Sequence, residues 1–383
     1  QREGWTKENI GSHIIRRCNI HDCGQTGIVG HLGGVFSIIE DNHIHHINNK
    51  QNLAGAEIGG IKMHAAIDVI IRRNHFHHCT RGLWLDWQAQ GTRVTQNLFH
   101  DNTLPNEENA NPEGMDGIGE DIFIEISHGP TLVDNNVLLS DRAMKLATQG
   151  VAVVHNLIAG SFTAVGRGVN NGSEKLPSPR YTPYHVPHRT EINGFMTVLH
   201  GDCRFYNNIF IQKPVRAGME EIRKLTGDNE WDDGNLTAGT APYSGYPTLE
   251  EYVARFEGYC GMGSGKSPDL PVWLGGNVYF NGAKPAEQEQ DAVVDTEHEI
   301  TIGVKEENGK WKLETNVYDY LPQNACAVIS TETLGMAFEP EQKYENPDGT
   351  PIVFRYDYFG NRQGIHPLPG PFASKEAAEE ALS

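Results

Sequence analysis

A short asparagine-centred motif recurs along the chain and constrains its fold more than any other feature. In each copy an apolar residue stands two positions after the Asn, and a short β-branched or charged run precedes it. The copies begin at Asn42, Asn74, Asn97, Asn136, Asn156, Asn208 and Asn277, and Cys18 takes the Asn position in an earlier copy. The shortest intervals are about 20 residues, the length of one coil of a parallel β-helix. Because a turn Asn can bond the same Asn one coil above, the repeat predicts an all-β, right-handed parallel β-helix with an Asn ladder.

Interruptions of this rhythm predict the domain organisation. Long loops are expected at 103–119 and 161–193, and loops of this length on a solenoid usually line a binding face. We predict catalytic coils over 1–213 and a helical insertion over 214–276, where Met219–Leu225 and Thr248–Phe256 have helical spacing and Thr248 with Glu251 forms a capping box. Residues 277–383 are predicted to form the last coil and antiparallel strands that cap the solenoid, including a hairpin around Asn308-Gly309.

Composition limits the possible partners. The net charge of −19 argues against nucleic acid and anionic membranes, and the chain lacks an apolar run long enough to span a bilayer. Six scattered cysteines predict buried thiols of a reducing compartment, so we expect a bacterial cytoplasmic protein. The repeat is already running at Ile14–Ile20, so we expect that an N-terminal part is absent and that another segment or a second chain covers this coil, with a homo-oligomer as one possibility.

Two carboxylates stand at equivalent positions on successive coils. Asp86 precedes Asn97 by eleven residues, Glu125 precedes Asn136 by the same number, and Lys145 precedes Asn156 likewise. Equal offsets predict that Asp86, Glu125 and Lys145 form one column. Neighbouring parallel strands lie about 4.8 Å apart, so the two carboxyl groups are expected at about 5 Å, the separation of a retaining glycosidase pair.

Strand alternation predicts which side chains face the solvent side of this sheet. Leu83, Leu85 and Trp87 should point inward, as should Ile122, Ile124 and Ile126, which leaves Trp84, Asp86, Phe123 and Glu125 pointing outward. Repulsion between adjacent carboxylates raises one pKa and supplies a protonated acid, while Trp84 offers an apolar face to a sugar ring. The alternative is an ordinary pair of solvated acids on an outer row.

Further polar residues surround the predicted pair. Lys62 and His64 should point outward on the preceding coil, next to Glu57, and such groups commonly bond sugar hydroxyls; a solvated corner is the alternative. A second set of imidazoles is predicted in the turns after two ladder asparagines, with alternate rings facing water: His43, His45, His46, His75, His77 and His78. A metal site there is the alternative interpretation, and we expect neither a metal nor a cofactor.

Three sequence stretches resemble the β-xylosidases of glycoside hydrolase family 120. They are the segments 55–68 (GAEIGGIKMHAAID), 82–93 (GLWLDWQAQGTR) and 120–130 (EDIFIEISHGP). The resemblance implies a retaining mechanism on a parallel β-helix, with Asp86 as the nucleophile, Glu125 as the acid/base and Glu57 as a substrate-binding residue. Lys62, His64, Trp84, Lys145 and His128 complete our list of expected substrate contacts.

We therefore predict a retaining, exo-acting β-xylosidase that releases xylose from xylo-oligosaccharides by a two-carboxylate double displacement. Two alternatives remain open. A β-helix polysaccharide lyase would need a Lys or Arg base and usually a Ca²⁺ site for an acidic substrate. A non-catalytic carbohydrate-binding solenoid would keep the Asn ladder without needing two stacked carboxylates.

Overall fold

The strands of the chain wind into a parallel β-helix with three sheets. A computed structural model describes residues 4–50, 53, 57–103, 119–164, 180–215, 235–254, 269–323 and 326–383. Within these ranges the first six coils contribute one strand to each sheet in turn, and the later coils contribute strands to two of the sheets or one. Each strand, two to six residues long, pairs in parallel with its equivalent on the next coil.

Sheet one has eight parallel strands. They are β1 (Ile14–Arg16), β4 (Ile38–Glu40), β7 (Ile70–Arg72), β10 (Thr92–Thr95), β13 (Thr131–Asp134), β16 (Val151–Val154), β21 (Cys203–Tyr206) and β23 (Val272–Gly275). Sheet two has nine: β2 (Asn19–His21), β5 (His43–Ile47), β8 (His75–Cys79), β11 (Leu98–His100), β14 (Val137–Leu138), β17 (Leu157–Ile158), β22 (Ile209–Ile211), β24 (Val278–Phe280) and β25 (Val293–Val294).

Sheet three has six parallel strands and carries the candidate site. They are β3 (Thr26–Gly30), β6 (Gly59–His64), β9 (Leu83–Asp86), β12 (Glu120–Glu125), β15 (Arg142–Ala147) and β18 (Ser161–Ala164). The inward side chains of all three sheets, such as Ile71, Phe76 and Leu85, form one continuous buried core. This arrangement buries an apolar row that a single coil leaves exposed.

The predicted Asn ladder is confirmed. The side-chain Nδ2 of each Asn donates to Oδ1 of the Asn on the next coil at 2.9–3.1 Å, from Asn42 through to Asn277. At one rung, Asn136 donates to Asn156 and to the carbonyls of Val94 and Asp134, and accepts from both nitrogens of Asn97. Every rung is buried and fully bonded, so the ladder fixes the register of sheets one and two. The Cys18 amide donates to Asn42 Oδ1 at 3.0 Å, as its place in the repeat predicts.

The segments outside the coils contain two antiparallel hairpins and short helices. The hairpins are β19 (Tyr181–His185) with β20 (Ile192–Thr197), and β26 (Ile302–Glu307) with β27 (Lys310–Thr315) across the predicted Asn308-Gly309 turn. The helices are α1 (Leu249–Ala254), α2 (Thr331–Leu334) and α3 (Lys375–Ala378), with 3₁₀ turns at Ala241–Tyr243 and Val317–Asp319. The Thr248–Glu251 capping box is confirmed by reciprocal hydrogen bonds of 2.8 and 3.2 Å. The predicted helix at 219–225 and most of the loop at 103–119 lie outside the described residues.

Apart from β25, which adds the last strand of sheet two, the described C-terminal segment packs along the side of the solenoid, where we expected a cap on its end. Leu313, Tyr318 and Phe372 pack on the outer row of sheet two, and Leu334 and Tyr344 pack on the outer row of sheet one. Those outer rows are apolar, with Val137 and Leu157 as examples for sheet two. The segment therefore buries a second apolar surface that the inward core leaves uncovered.

The first coil leaves apolar side chains exposed. Ile14 and Val29 on the first strands are 59% and 62% exposed, and the covering of this coil by another segment or chain stays a prediction.

Cys79, Cys203 and Cys326 are buried as predicted, whereas Cys18 is exposed, so its predicted burial is wrong. Within the described part of the chain, every helix is too short or too polar to cross a membrane.

Candidate active site

Two neighbouring columns of side chains run across the outer face of sheet three. In the first column His64 pairs with Asp86, Asp86 with Glu125, and Glu125 with Ala147. The predicted placement of Asp86 and Glu125 on adjacent strands is thus confirmed. The second column contains Lys62, Trp84, Phe123 and Lys145 in that order. The outer face of this sheet therefore brings two carboxylates, an imidazole and two ammonium groups together.

The placement of Lys145 beside Glu125 in one column is wrong. Lys145 pairs with Phe123, two residues before Glu125, and Ala147 takes the position next to Glu125. The cause is the length of the following turn. Five residues separate Glu125 from its sheet-one strand, as on the coil of Asp86, but only three, 148–150, follow Ala147. Counting back from the ladder Asn therefore overshoots by two residues on this coil.

The predicted alternation of inward and outward side chains fails directly after the ends of β9 and β12. Leu83, Leu85, Ile122 and Ile124 point into the core as expected. Trp87 and Ile126, which were predicted to follow them inward, instead join Trp84, Phe123, Ala147 and Val198 in a separate cluster on the outer face. Their backbones have positive φ angles of 41° and 39°, which end the extended run and reverse the direction of the side chain.

The outer face of this sheet is covered rather than solvated. Asp86 and Glu125 are only 5% and 4% exposed, although both point away from the solenoid core. The segment that contains β19 and β20 crosses over them and carries Arg180 onto Glu125 and Val198 onto the aromatic cluster. The part of the loop 161–193 that the structure describes thus lies over the carboxylates. Burial strengthens every charge interaction in the site.

Asp86 is held in its ionised form by two nitrogen donors. Its Oδ2 lies 2.8 Å from Nε2 of His64 and 3.0 Å from Nζ of Lys62. Burial favours the neutral acid and raises the pKa of Asp86, but the His64 hydrogen bond and the Lys62 charge outweigh it, so the pKa is lowered overall. Asp86 is therefore an ionised, oriented carboxylate.

Glu57 extends this network to the edge of the site. Its exposed carboxylate lies 2.5 Å from Lys62 Nζ, which is itself fully buried. Glu57, His64 and Asp86 offer three donor atoms within 4.8 Å of one another, a spacing that suits a metal ion. The Lys62 ammonium, however, contacts all three, since it also lies 3.0 Å from His64 Nε2. The cation that these three groups contact in the structure is thus the Lys62 ammonium.

Glu125 has the opposite protonation tendency. Burial, followed by the charge of Asp86, raises the pKa of Glu125 to about 7, against the opposing effects of Arg180 and Lys145. Its Oε2 accepts a hydrogen bond of 3.1 Å from the indole nitrogen of Trp84, and its Oε1 forms an ion pair with Arg180. A pair of adjacent carboxylates, one kept ionised and one able to hold a proton near neutral pH, is the arrangement needed for combined nucleophilic and acid catalysis.

Three further side chains were predicted to contact substrate, namely Trp84, Lys145 and His128, and each has a defined partner in the structure. The Trp84 ring stacks on Phe123 with centroids 5.3 Å apart, and Lys145 Nζ lies 4.8 Å from the Phe123 centroid. His128 is buried, with Nε2 3.1 Å from the carbonyl oxygen of Thr182 and Nδ1 3.7 Å from Glu339. This geometry favours a role for His128 in holding the covering segment.

Sequence reasoning missed two arginines at this site. Arg180 belongs to a loop without strand register, so no spacing rule relates it to Glu125. Arg81 lies 4.4 Å from the Trp84 ring centroid while pairing with Glu120 at 3.0 Å. Arg81 lies two residues before β9 begins, and its position three residues before Trp84 was the available signal.

The fold and this site define a class: a parallel β-helix protein that presents two adjacent, differently protonated carboxylates on the outer face of one sheet. Residues 6–163 match the family model described as "Right handed beta helix region", which establishes the handedness that the repeat predicts. No curated protein matches the chain.

A solved structure described as "The complex structure of XylC with xylose" is similar to nearly the whole chain. The two are 40% identical with a TM-score of 0.80, and the match covers 99% of this chain and 52% of the XylC chain. This chain thus spans about half the length of XylC.

Proposed function

We propose that this protein is a retaining, exo-acting β-xylosidase of glycoside hydrolase family 120, with xylo-oligosaccharides as its substrates. The observation that carries the proposal is the register pairing of Asp86 with Glu125 on adjacent parallel strands, together with their opposite pKa shifts. Strands about 4.8 Å apart suit a retaining pair, whereas an inverting enzyme needs roughly 6.5–9.5 Å for a water molecule. The likeness to XylC, which was solved with xylose, supports xylose as the sugar.

The first chemical step requires Asp86 ionised and Glu125 protonated. Asp86 attacks the anomeric carbon, and the bond to the glycosidic oxygen breaks as Glu125 transfers its proton to that oxygen. The products of this step are the shortened alcohol and a xylosyl ester on Asp86. Lys62 and His64 orient the Asp86 carboxylate for attack, because both contact its Oδ2.

The second step returns the enzyme to its starting state. Glu125, now ionised, takes a proton from water as the water oxygen attacks the anomeric carbon, and the ester bond to Asp86 breaks. Two inversions give net retention. Arg180 and the Trp84 indole stabilise the ionised Glu125 that this step uses. The proton taken from water returns Glu125 to its acid form, which burial favours.

Exo action rests on the covering of the site. The segment bearing Arg180 and Val198 lies over the carboxylates, whereas endo cleavage of a long chain needs an open groove. We propose that Glu57 and His64 hold hydroxyl groups of the terminal sugar and that Trp84 packs on its face.

Proton NMR of the first product decides the stereochemistry. A β-xyloside should release β-xylose first, and α-xylose appearing first would contradict the role of Asp86 as nucleophile.

Asp86→Ala should lose nearly all turnover. Glu125→Ala should impair xylobiose far more than nitrophenyl xyloside, because a good leaving group needs little protonation, and azide should yield β-xylosyl azide. Asp41→Asn, which removes an ion-paired carboxylate on another part of the solenoid, is the control. An unsaturated product that absorbs in the ultraviolet would instead indicate a lyase.

A further inference from the structure

A cluster of histidines lies on the outer face of sheet two, which does not carry the catalytic carboxylates. His43 is on β5, His75 and His77 are on β8, and His100 is on β11, so three successive coils contribute to it. The sequence predicted rings in turns with alternate ones facing water. Instead they stand on strands, and His75, His77 and His100 are buried beneath Trp311 of the β26–β27 hairpin.

The Nε2 atoms of these rings converge. His43 Nε2 lies 2.8 Å from His77 Nε2, and His75 Nε2 lies 2.8 Å from His100 Nε2. His43, His75 and His77 each offer a ring nitrogen within 4.8 Å of the others. With metal–nitrogen bonds of 2.0–2.1 Å, tetrahedral ligands lie about 3.3 Å apart. Binding of an ion therefore requires the His43 and His77 nitrogens to separate by about 0.5 Å and the His75 nitrogen, within 4.8 Å of both, to move to the same distance.

The opposite ring nitrogens have partners that fix the orientation of the imidazoles. Nδ1 of His75 lies 2.9 Å from the Ser383 hydroxyl, Nδ1 of His77 lies 2.7 Å from Nδ1 of His78, and Nδ1 of His100 lies 2.6 Å from Asp101. Such bonds on the far nitrogen are the usual support of a metal-bound imidazole.

Solvent reaches the cluster through a cavity. The cavity has a volume of about 580 Å³ and is lined by His43, His75, Trp311 and Ser383 among others. An ion held by three imidazoles would thus have an open position facing the cavity, where water completes a tetrahedron.

We propose that His43, His75 and His77 form a binding site for a divalent transition metal ion of the zinc type. Imidazole donors suit Zn²⁺, Co²⁺, Ni²⁺ and Cu²⁺, whereas Ca²⁺ and Mg²⁺ prefer oxygen ligands. The site joins two coils beneath the C-terminal hairpin, so the ion stabilises the folded solenoid and takes no part in glycoside chemistry. The competing explanation is a chain of imidazoles that share protons and bind no ion.

Titration of the tag-free, chelator-treated protein with Zn²⁺ tests the proposal. We expect one ion per chain, a higher melting temperature in the loaded protein, and unchanged turnover of nitrophenyl xyloside. His43→Gln alters only a half-buried ligand and should weaken Zn²⁺ binding about tenfold or more. His298→Gln, an exposed imidazole paired with Asp295, is the matched control and should leave the affinity unchanged.

The metal site would be overturned by the absence of stoichiometric Zn²⁺ binding, or by equal affinity in wild type and His43→Gln. Loss of binding in His64→Gln but not in His43→Gln would place the ion in the catalytic network and refute the proposal equally. If His43→Gln does not fold, X-ray absorption of the Zn²⁺-loaded wild type decides, because fewer than three imidazole ligands contradicts the assignment.

Discussion

Removal of the Arg180 charge gives a direct test of how Glu125 is tuned. The guanidinium contacts Oε1 of Glu125 and lies 4.7 Å from the ring centroid of Trp87. Arg180→Met keeps an unbranched stem that can still cover Trp87, so the variant mainly removes the charge. Because this charge lowers the pKa of Glu125, its loss should raise that pKa above its present value of about 7.

The size of the change follows from the contact. Two unit charges about 4 Å apart interact with about 4 kcal/mol at an effective dielectric constant of about 20. One pKa unit corresponds to about 1.4 kcal/mol, and a neighbouring opposite charge typically lowers a carboxyl pKa by about 1 to 3 units. The pKa of Glu125 in Arg180→Met should therefore lie between about 8 and about 10.

The pH dependence of kcat/KM for xylobiose measures this change. In the proposed mechanism Glu125 must be protonated to expel the poor leaving group, so the alkaline limb reports its pKa in the free enzyme. In Arg180→Met the alkaline limb should move to higher pH by at least about one pH unit, and in the charge-preserving control Arg180→Lys it should move less. An alkaline limb that stays in place in a folded Arg180→Met, or moves to lower pH, would refute the electrostatic role assigned to Arg180.

Three further predictions concern other parts of the structure. In Lys62→Met the acidic limb of kcat/KM should move to higher pH, because Lys62 lowers the pKa of Asp86; an unmoved limb would contradict this. Asn136→Ala removes five buried hydrogen bonds and should lower the free energy of unfolding in urea by about 3–5 kcal/mol, against a small change for the exposed Asn49→Ala. The pKa of Glu125 is raised in the folded state, so the free energy of unfolding of the wild type falls as the pH rises from about 4.5 to about 7. Because Glu125→Gln cannot ionise, its free energy of unfolding should gain on the order of 2–3 kcal/mol relative to wild type across that interval. Parallel curves of stability against pH would refute this.

The parts of the fold that depend on strict repetition were predictable from sequence. The ladder asparagines recur because each occupies the same turn, and the pairing of Asp86 with Glu125 follows because their two coils have following turns of equal length. Where the repeat changes length, as after Ala147, the same arithmetic misplaces Lys145. Spacing therefore predicts register only between coils of equal turn length.

Other features lie beyond what local patterns encode. The inward prediction for Trp87 and Ile126 failed because their positive φ angles depend on where the strand ends, and nothing in a period of two marks that point. Arg180 reaches Glu125 across a loop, and Trp311 covers the histidine cluster from a hairpin more than two hundred residues later in the chain. Both contacts are tertiary, and a single sequence carries no spacing that relates their partners.

The short turn at 148–150 shows how a solenoid of this kind can change its substrate preference while its core stays intact. Since side chains alternate with a period of two, shortening a turn by two residues slides a strand along its neighbour and keeps the same residues facing outward. The slide replaces Lys145 with Ala147 beside Glu125 and leaves the ladder at Asn156 in place. A change of one residue would instead send every outward side chain of that strand into the core. Turn lengths that vary in steps of two therefore give evolution, or a protein engineer, a way to exchange the neighbour of a catalytic residue without redesigning the strand.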